Sequence, residues 1–295
     1  MSHIPVLLQT VCEYLELKSG DRVIDATAGE GGYSRAIMNM VGPGGKVLMI
    51  DWDEQAITRL RESFKMEIGS GLCVFKKGNF KNLKTIAEGA GWHEVSGIVF
   101  DFGTSRLTIK DFGKGFSFNQ DEPLEMTYSS EVEEDAGVVV NRYPEQDLKR
   151  IFSEFGEERY SGRIARTIVE YRARKQVRTS KELADIVVSA VPRGRQSRIH
   201  PATQVFQALR IYVNKELDNI SAAFPQAMEL LSPGGRMVAV SYHSLEDRIV
   251  KNMFRDFGKA GIGDIITKKP VVPEQREIAD NPSSRSAKLR CIEKI

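Results

Sequence analysis

The sequence has few of the residues that build disulfide-stabilised or zinc-binding proteins. Its 295 residues include only three cysteines and four histidines, and neither type is clustered. Cys12, Cys73 and Cys291 form no CxxC pair and no metal-ligand spacing, which favours reduced thiols. We therefore expect no metal centre.

Long apolar runs and a strong overall charge are also absent. No stretch approaches the ~18 apolar residues that a membrane span needs. Met1–Tyr14 shows no basic region followed by an apolar core and a cleavage site, so we expect no signal peptide. The formal net charge is only +2. These features predict a cytoplasmic protein with no membrane partner.

The small net charge conceals two oppositely charged segments. Residues 112–158 hold 4 Lys and Arg against 12 Asp and Glu, whereas residues 159–200 hold 11 against 3. A charge run is usually a solvated helix face. Here, however, arginine dominates, and Arg193, Arg195 and Arg198 cluster beside Pro and Gly. Because the planar arginine fork suits phosphate, we expect the basic segment to contact nucleic acid.

Short apolar runs alternate with helical patterns through the first hundred residues. The predicted strands there are Arg22–Ala26, Lys46–Ile50, Leu72–Phe75 and Gly97–Phe100. Strands separated by helices imply βαβ units in a parallel sheet. The runs lack polar alternation, which fits strands that are buried on both faces.

The pattern changes after residue 111. Residues 112–200 show helical periodicity and no convincing strand. From Pro201 the α/β pattern resumes, with one long amphipathic helix through Phe206–Ile220 and a strand in RMVAVSYHS. We predict an α/β fold, in which residues 1–111 and 201–295 form a Rossmann-like sheet and residues 112–200 form an inserted all-helical domain.

The glycine-rich stretch DATAGEGGYS follows the first predicted strand. It lacks the lysine of a P-loop, and Ser34 replaces the third small residue of a dinucleotide motif, which argues only mildly against NAD. A third alternative is S-adenosylmethionine, whose motif has an acid after the first strand, a loose Gly-x-Gly, and a ribose-binding acid after the second. Asp25, Gly29, Gly31 and Asp51 fit that order.

Longer stretches then narrow the choice. They are HIPVLL, DATAGEGGYSRAI, IDWDEQAI, GNF, DFGTS, KGFSF, PLEM, FGEERYSGRIARTIV, HPATQVFQALRIYVNKEL, SYHSLEDRIVK and NPSSRSAKLR. Together they span nearly the whole chain, and in them the sequence resembles the 16S rRNA (cytosine-N4) methyltransferases of the RsmH/MraW family. The resemblance implies a class I methyltransferase sheet and S-adenosylmethionine as methyl donor. It also implies that the methyl acceptor is N4 of a cytidine in small-subunit rRNA, cytidine 1402 of the decoding centre.

The resemblance also implies a set of site residues. Those expected to bind the methyl donor are Gly31, Gly32, Tyr33, Asp51, Phe80, Asp101 and Thr108. In this set the glycines would admit the cofactor to the backbone, Asp51 would hold the ribose, and Phe80 would pack on the adenine. Asp101 would favour the sulfonium charge and is the candidate catalytic group. Candidate substrate contacts, from the strongest family motifs, are His200, Arg210, Asn214 and His243.

The chain departs from the family pattern at several of these positions. Tyr33 replaces a usual His, and the runs Ser105–Ile109 and Pro123–Ser129 also differ. The departures motivate a second hypothesis, a non-catalytic RNA-binding or ribosome-assembly factor of the same fold, or a paralogue with another RNA target. A nicotinamide-dependent reductase is a third. The expected partner is 16S rRNA or the small ribosomal subunit, and the oligomeric state stays open, a homodimer included.

Overall fold

A seven-stranded sheet organises the first part of the fold. The computed structural model describes residues 5–103, 113–192 and 200–295, and all statements about structure concern these ranges. The strands are β1 Arg22–Asp25, β2 Lys46–Asp51, β3 Cys73–Lys77, β4 Val95–Asp101, β5 Leu231–Ser241, β6 Gly263–Ile265 and β7 Lys288–Lys294. Their order across the sheet is β3-β2-β1-β4-β5-β7-β6.

The first five strands pair in parallel, and β7 runs antiparallel to both β5 and β6. The four strands that the sequence predicts before residue 111 are therefore present, with bounds shifted by one to three residues. This arrangement confirms the predicted Rossmann-like α/β sheet of a class I methyltransferase.

The strands are apolar on both faces because both faces are covered. Ile24, Leu48 and Ile98 pack into one core cluster, whereas their neighbours Val23 and Val47 pack into another. Alternate residues of a strand point to opposite faces, so each cluster lies on its own side of the sheet. The helices of this part are α1 Leu8–Leu15, α2 Gly32–Val41, α3 Glu54–Ser63, α4 Lys65–Gly69 and α5 Leu83–Glu88, and later α11 Glu216–Leu230, α12 Ser244–Lys259 and α13 Gln275–Asp280.

The chain divides into two compact units. The first comprises Met1–Gly103 and Leu217–Ile295, and the second comprises Thr104–Glu216. The second unit contains the helices α6 Ala136–Arg142, α7 Glu145–Glu154, α8 Ser161–Arg172, α9 Ser180–Ala190 and α10 Thr203–Asn214. Within its described residues it has no strand beyond an isolated bridge between Pro123 and Thr179, as the helical periodicity predicts.

The sequence-based boundary at residues 200 and 201 differs from this division. Helix α10 belongs to the second unit because Val205, Phe206 and Leu209 join the same buried cluster as residues of α7 and α8. The periodicity located the apolar face of this helix correctly. It could not indicate which core that face would join.

The single long helix predicted from Phe206 to Ile220 is wrong. The chain forms two helices, which are separated at Lys215 by a left-handed backbone with φ of 52°. The apolar spacing continues through the break, so hydrophobic periodicity alone could not reveal it. None of the helices in the described ranges is long and apolar enough to cross a membrane.

Candidate functional site

Three acidic residues end three neighbouring parallel strands. Asp25 is the last residue of β1, Asp51 the last of β2 and Asp101 the last of β4. Since β1 pairs with both β2 and β4, the three carboxyl groups share the edge where ligands bind in open α/β sheets. The structure therefore brings the predicted Asp51 and Asp101 to one edge.

Asp51 holds the glycine-rich loop through its carboxylate. One oxygen accepts the Gly29 N–H at 2.7 Å, and the other accepts the Asp53 N–H at 2.9 Å. Burial raises the pKa of this carboxyl to about 6, although both hydrogen bonds act in the opposite direction. Each oxygen can accept a further hydrogen bond, so Asp51 can also meet a ribose hydroxyl.

Asp25 has a structural role inside the same loop. It is fully buried, and it accepts hydrogen bonds from the Ser34 hydroxyl at 2.6 Å and from the Thr27 N–H at 3.3 Å. Burial raises the pKa of Asp25 to about 6. Ser34 therefore fastens the first turn of α2 to the end of β1. This contact gives a reason for a serine in place of a third glycine or alanine.

Asp101 is fixed from two sides. Its N–H donates to the Thr27 hydroxyl at 2.7 Å, and its carboxylate accepts the Gly103 N–H at 3.3 Å. Burial raises the pKa of this carboxyl to about 7, against the lowering effect of a hydrogen bond from the Tyr242 hydroxyl. Asp101 thus has the most strongly raised pKa of the three acids.

Tyr242 was missed by the sequence reasoning, although it lies in the SYHSLEDR stretch. It directly follows β5, the neighbour of β4 in the sheet, so its position matches that of a strand-end residue. A Cβ atom placed on Gly103 would lie 2.6 Å from the Tyr242 ring. The ring therefore packs directly against the backbone of the DFG turn, and only glycine leaves room for it.

Gly31 and Gly32 are glycines for reasons inside the protein. Gly31 has φ of 78°, and a Cβ there would lie 2.3 Å from the Phe64 ring. A Cβ on Gly32 would lie 2.2 Å from Pro5. Both glycines would thus be required even without a ligand, because side chains of the chain itself occupy the space. Their predicted contact with the methyl donor stays a prediction.

Tyr33, the clearest departure from the family pattern, is a core residue. It is 4% exposed, and its hydroxyl donates a hydrogen bond to the Val6 carbonyl. Burial raises the pKa of this hydroxyl well above its ordinary value, so it remains protonated. The Leu7 N–H donates to Glu277 at 2.6 Å. Tyr33 therefore anchors the segment at Pro5–Leu7, and its cofactor contact stays a prediction.

Phe80 follows β3 in the GNF stretch and joins an aromatic group. Its ring centroid lies 5.8 Å from that of Phe100 and 6.0 Å from that of Phe102. Phe80 is only half-buried, so part of the ring remains available to stack on a planar ligand. Two buried polar atoms nearby in this edge's loops, Glu30 Oε1 and Asn79 Nδ2, have no hydrogen-bond partner among the described residues.

The candidate substrate residues of the second unit are mostly committed to that unit. The Asn214 amide donates to the Met126 carbonyl at 2.7 Å and accepts the Tyr128 N–H at 2.9 Å. Arg210 forms a two-pronged ion pair with Glu216, at 2.9 and 3.1 Å. These contacts give Asn214 and Arg210 structural roles, and their contact with substrate stays a prediction.

His200 differs from these two residues because it is exposed. Its ring stacks on Phe118 with centroids 4.4 Å apart, and its Nδ1 accepts the Ala202 N–H at 3.2 Å. An exposed imidazole that is held flat on an aromatic ring can contact a ligand. Thr108 lies outside the described residues, as do Arg193, Arg195 and Arg198.

His243 begins helix α12. Its Nδ1 accepts the Glu246 N–H at 3.4 Å, while the Glu246 carboxylate accepts the N–H groups of Tyr242 and His243 at 2.7 and 3.3 Å. This reciprocal cap fixes the turn after β5. Because Nδ1 is the acceptor, the neutral ring carries its proton on Nε2 and offers a donor there.

Comparisons with known proteins agree with this edge of the sheet as a methyltransferase site. The sequence model of the MraW methylase family matches residues 1–295. Ribosomal RNA small subunit methyltransferase H of Sulfurihydrogenibium azorense is 44% identical over 297 residues, covering 100% of both chains. The protein of that name from Thermomicrobium roseum is 42% identical over 309 residues, covering 100% of this chain and 94% of the relative.

A solved structure extends the comparison to a more distant protein. Fibrillarin of Aeropyrum pernix, with natively bound S-adenosyl-L-methionine, is 12% identical. The match covers 97% of this chain and 73% of fibrillarin, with a TM-score of 0.43.

Proposed function

The chain belongs to the MraW methylase family and is a methyltransferase, and we propose that it methylates small-subunit rRNA with S-adenosylmethionine as the methyl donor. The observation that carries this proposal is the family match over the whole chain, together with relatives at 40–44% identity that are named for this activity. The methyl acceptor that we propose is N4 of a cytidine in 16S rRNA.

The strand-edge site fits the proposed methyl donor in charge. Asp25, Asp51 and Asp101 lie at one edge, and burial raises the pKa of each of them. Raised pKa values mean that the edge lacks nearby positive charge, so a cationic ligand would be stabilised there. The proposed donor, with its sulfonium and ammonium groups, supplies positive charge and a transferable methyl group when bound. Asp51 would accept the ribose hydroxyls, and Phe80 would pack on the adenine.

The cysteines favour methyl transfer to nitrogen or oxygen over carbon. Methylation at C5 of a pyrimidine uses a thiolate nucleophile. Here burial raises the pKa of Cys73 to about 11 and that of Cys291 to about 12. The pKa of Cys12 is raised as well. None of the three provides a thiolate at neutral pH.

Asp101 is the proposed acceptor of the proton that the reaction releases. The lone pair of N4 forms the new N–C bond while the C–S bond breaks and its electron pair goes to sulfur. N4 then loses a proton, and the carboxylate of Asp101 takes it. A base works best when its pKa is close to the operating pH, and burial raises the pKa of Asp101 to about 7. Holding donor and acceptor in line supplies much of the remaining acceleration.

The second unit is the proposed RNA-recognition domain. Helix α8 exposes Arg163 and Arg166, and Arg159 is exposed shortly before it. Arg166 lies 3.7 Å from Glu145, whereas the described residues provide no carboxylate partner for Arg159 or Arg163. Guanidinium groups without a carboxylate partner can bind phosphate, which offsets the cost of extruding a base from structured RNA.

The test uses labelled methyl donor and small-subunit particles that lack the modification, followed by mapping of the labelled nucleoside. We expect label on N4 of a cytidine. Label on another nucleoside would redirect the proposal to a paralogous RNA target. No label, together with measurable RNA binding and no calorimetric binding of the methyl donor, would favour the alternative, an RNA-binding or assembly factor. Asp101→Asn is the matched variant, and it should lose transfer while retaining its hydrogen-bond acceptor.

A further inference from the structure

Asn79 carries a buried donor that the protein leaves unused. The residue is 5% exposed, and its Nδ2 atom has no hydrogen-bond partner within the described part of the chain. An unpaired buried donor is unfavourable, since the N–H group loses its water without gaining an acceptor. In native proteins such a group is usually satisfied by a ligand or by an ordered water.

The orientation of this amide is fixed. Asn79 precedes the short 3-10 turn Phe80–Asn82, and its Oδ1 accepts the Lys81 N–H at 2.9 Å. Because a backbone N–H requires an acceptor, the oxygen must face Lys81 and the NH₂ group must point the other way. The same turn holds the Asn79 carbonyl, which accepts the Asn82 N–H at 3.0 Å. The donor is thus presented by a rigid turn.

The position of Asn79 relates this donor to the methyl-donor site. Asp51 pairs in register with Lys77 at the ends of β2 and β3, and the Gly78 N–H donates to the Asp51 carbonyl at 2.9 Å. Asn79 therefore follows the strand that neighbours the ribose-binding acid. It also directly precedes Phe80, the proposed adenine-packing ring. A ligand whose ribose meets Asp51 would extend its base toward β3.

We propose that Asn79 donates a hydrogen bond from Nδ2 to an acceptor nitrogen of the adenine ring of the methyl donor. The inference rests on the proposed function and makes Asn79 a specificity-determining residue at the same site. Adenine has ring nitrogens that accept hydrogen bonds, whereas its exocyclic amine only donates. An N–H donor at Asn79 therefore selects a ring nitrogen and rejects a base that lacks an acceptor there.

Two substitutions separate recognition from folding. Asn79→Ser and Asn79→Asp both keep a side-chain oxygen that can cap the Lys81 N–H, since Ser, Asp and Asn cap comparably well. Both variants lose the NH₂ donor. We expect S-adenosylhomocysteine to bind each variant about tenfold more weakly than the wild type in calorimetry, with the melting temperature of the free protein nearly unchanged.

Modified ligands then identify the bond itself. Each acceptor nitrogen of the adenine in S-adenosylhomocysteine is replaced in turn by a CH group. For one analogue the wild type and Asn79→Ser should bind equally, and for the others the tenfold difference should persist. Equal binding of unmodified S-adenosylhomocysteine by wild type and both variants would overturn the inference, as would one constant ratio across all analogues. A wild-type protein that binds no S-adenosylhomocysteine would instead count against the proposed function.

Discussion

Binding of the methyl donor should depend on the protonation of Asp101. Burial raises the pKa of this carboxyl to about 7, so at pH 6 most molecules carry it neutral. A cationic ligand beside Asp101 favours the ionised form, and the proton must leave before the attraction is gained. The sign is therefore fixed: the affinity for S-adenosylmethionine should rise as the pH rises through 7.

The size of the effect follows from the ionised fraction. A carboxyl with a pKa of about 7 is ionised in about 9% of molecules at pH 6 and in about 91% at pH 8. If only the ionised form binds well, the affinity rises about tenfold, or about 1.4 kcal/mol. Asp25 and Asp51, with pKa values raised to about 6, would each add at most about a factor of two.

Calorimetry from pH 6 to 8 measures this dependence, and buffers with different ionisation enthalpies report the protons released. In Asp101→Asn, which keeps a hydrogen-bond acceptor for the Gly103 N–H, the affinity at pH 8 should fall toward the wild-type value at pH 6. The pH dependence of this variant should shrink to about twofold or less for each remaining acid. A wild-type affinity that stays flat across this range would refute the reasoning. A variant that keeps the tenfold slope would assign the proton to another group.

Three further outcomes follow from the same edge of the sheet. Asp51→Ala should weaken S-adenosylhomocysteine binding by about 10–100-fold in calorimetry, because a charged acceptor is lost, and unchanged affinity would contradict the ribose assignment. Ser34→Ala removes the 2.6 Å bond to buried Asp25 and should lower the free energy of unfolding by about 1–3 kcal/mol in urea titrations, so an unchanged midpoint would show that the bond contributes nothing. Tyr33→Phe loses the bond to the Val6 carbonyl and should cost about 1 kcal/mol in the same assay, with methyl-donor affinity nearly unchanged, and a large loss of affinity would instead make Tyr33 a binding residue.

The parts of the fold that local patterns specify were predicted well. Strands buried on both faces produce unbroken apolar runs, and Asp25, Asp51 and Asp101 could be assigned to strand ends because each directly follows such a run. The break at Lys215 could not be predicted, since the apolar spacing of two consecutive helices stayed in phase across it. The extent of the second unit depends on which core a helix joins, which no single-sequence pattern encodes.

The roles of individual site residues were harder to predict than their positions. A glycine next to a ligand and a glycine under a neighbouring side chain give the same letter, so the contacts of Phe64 with Gly31 and of Pro5 with Gly32 were invisible in the sequence. Tyr242 had a detectable signal, its place just after β5, which the reasoning overlooked. The unused donor of Asn79 appears only once the turn that orients its amide is known.

The interruption of the sheet by Thr104–Glu216 has a consequence for synthesis on the ribosome. Strand β4 must wait for β5, because Val99 pairs with Val238, which is translated 139 residues later. At typical bacterial elongation rates this delay is roughly ten seconds. The second unit is continuous in sequence and has its own buried cluster, so it can form while the unfinished sheet still exposes β1 and β4. Chaperone dependence of the nascent chain should therefore be greatest in that interval.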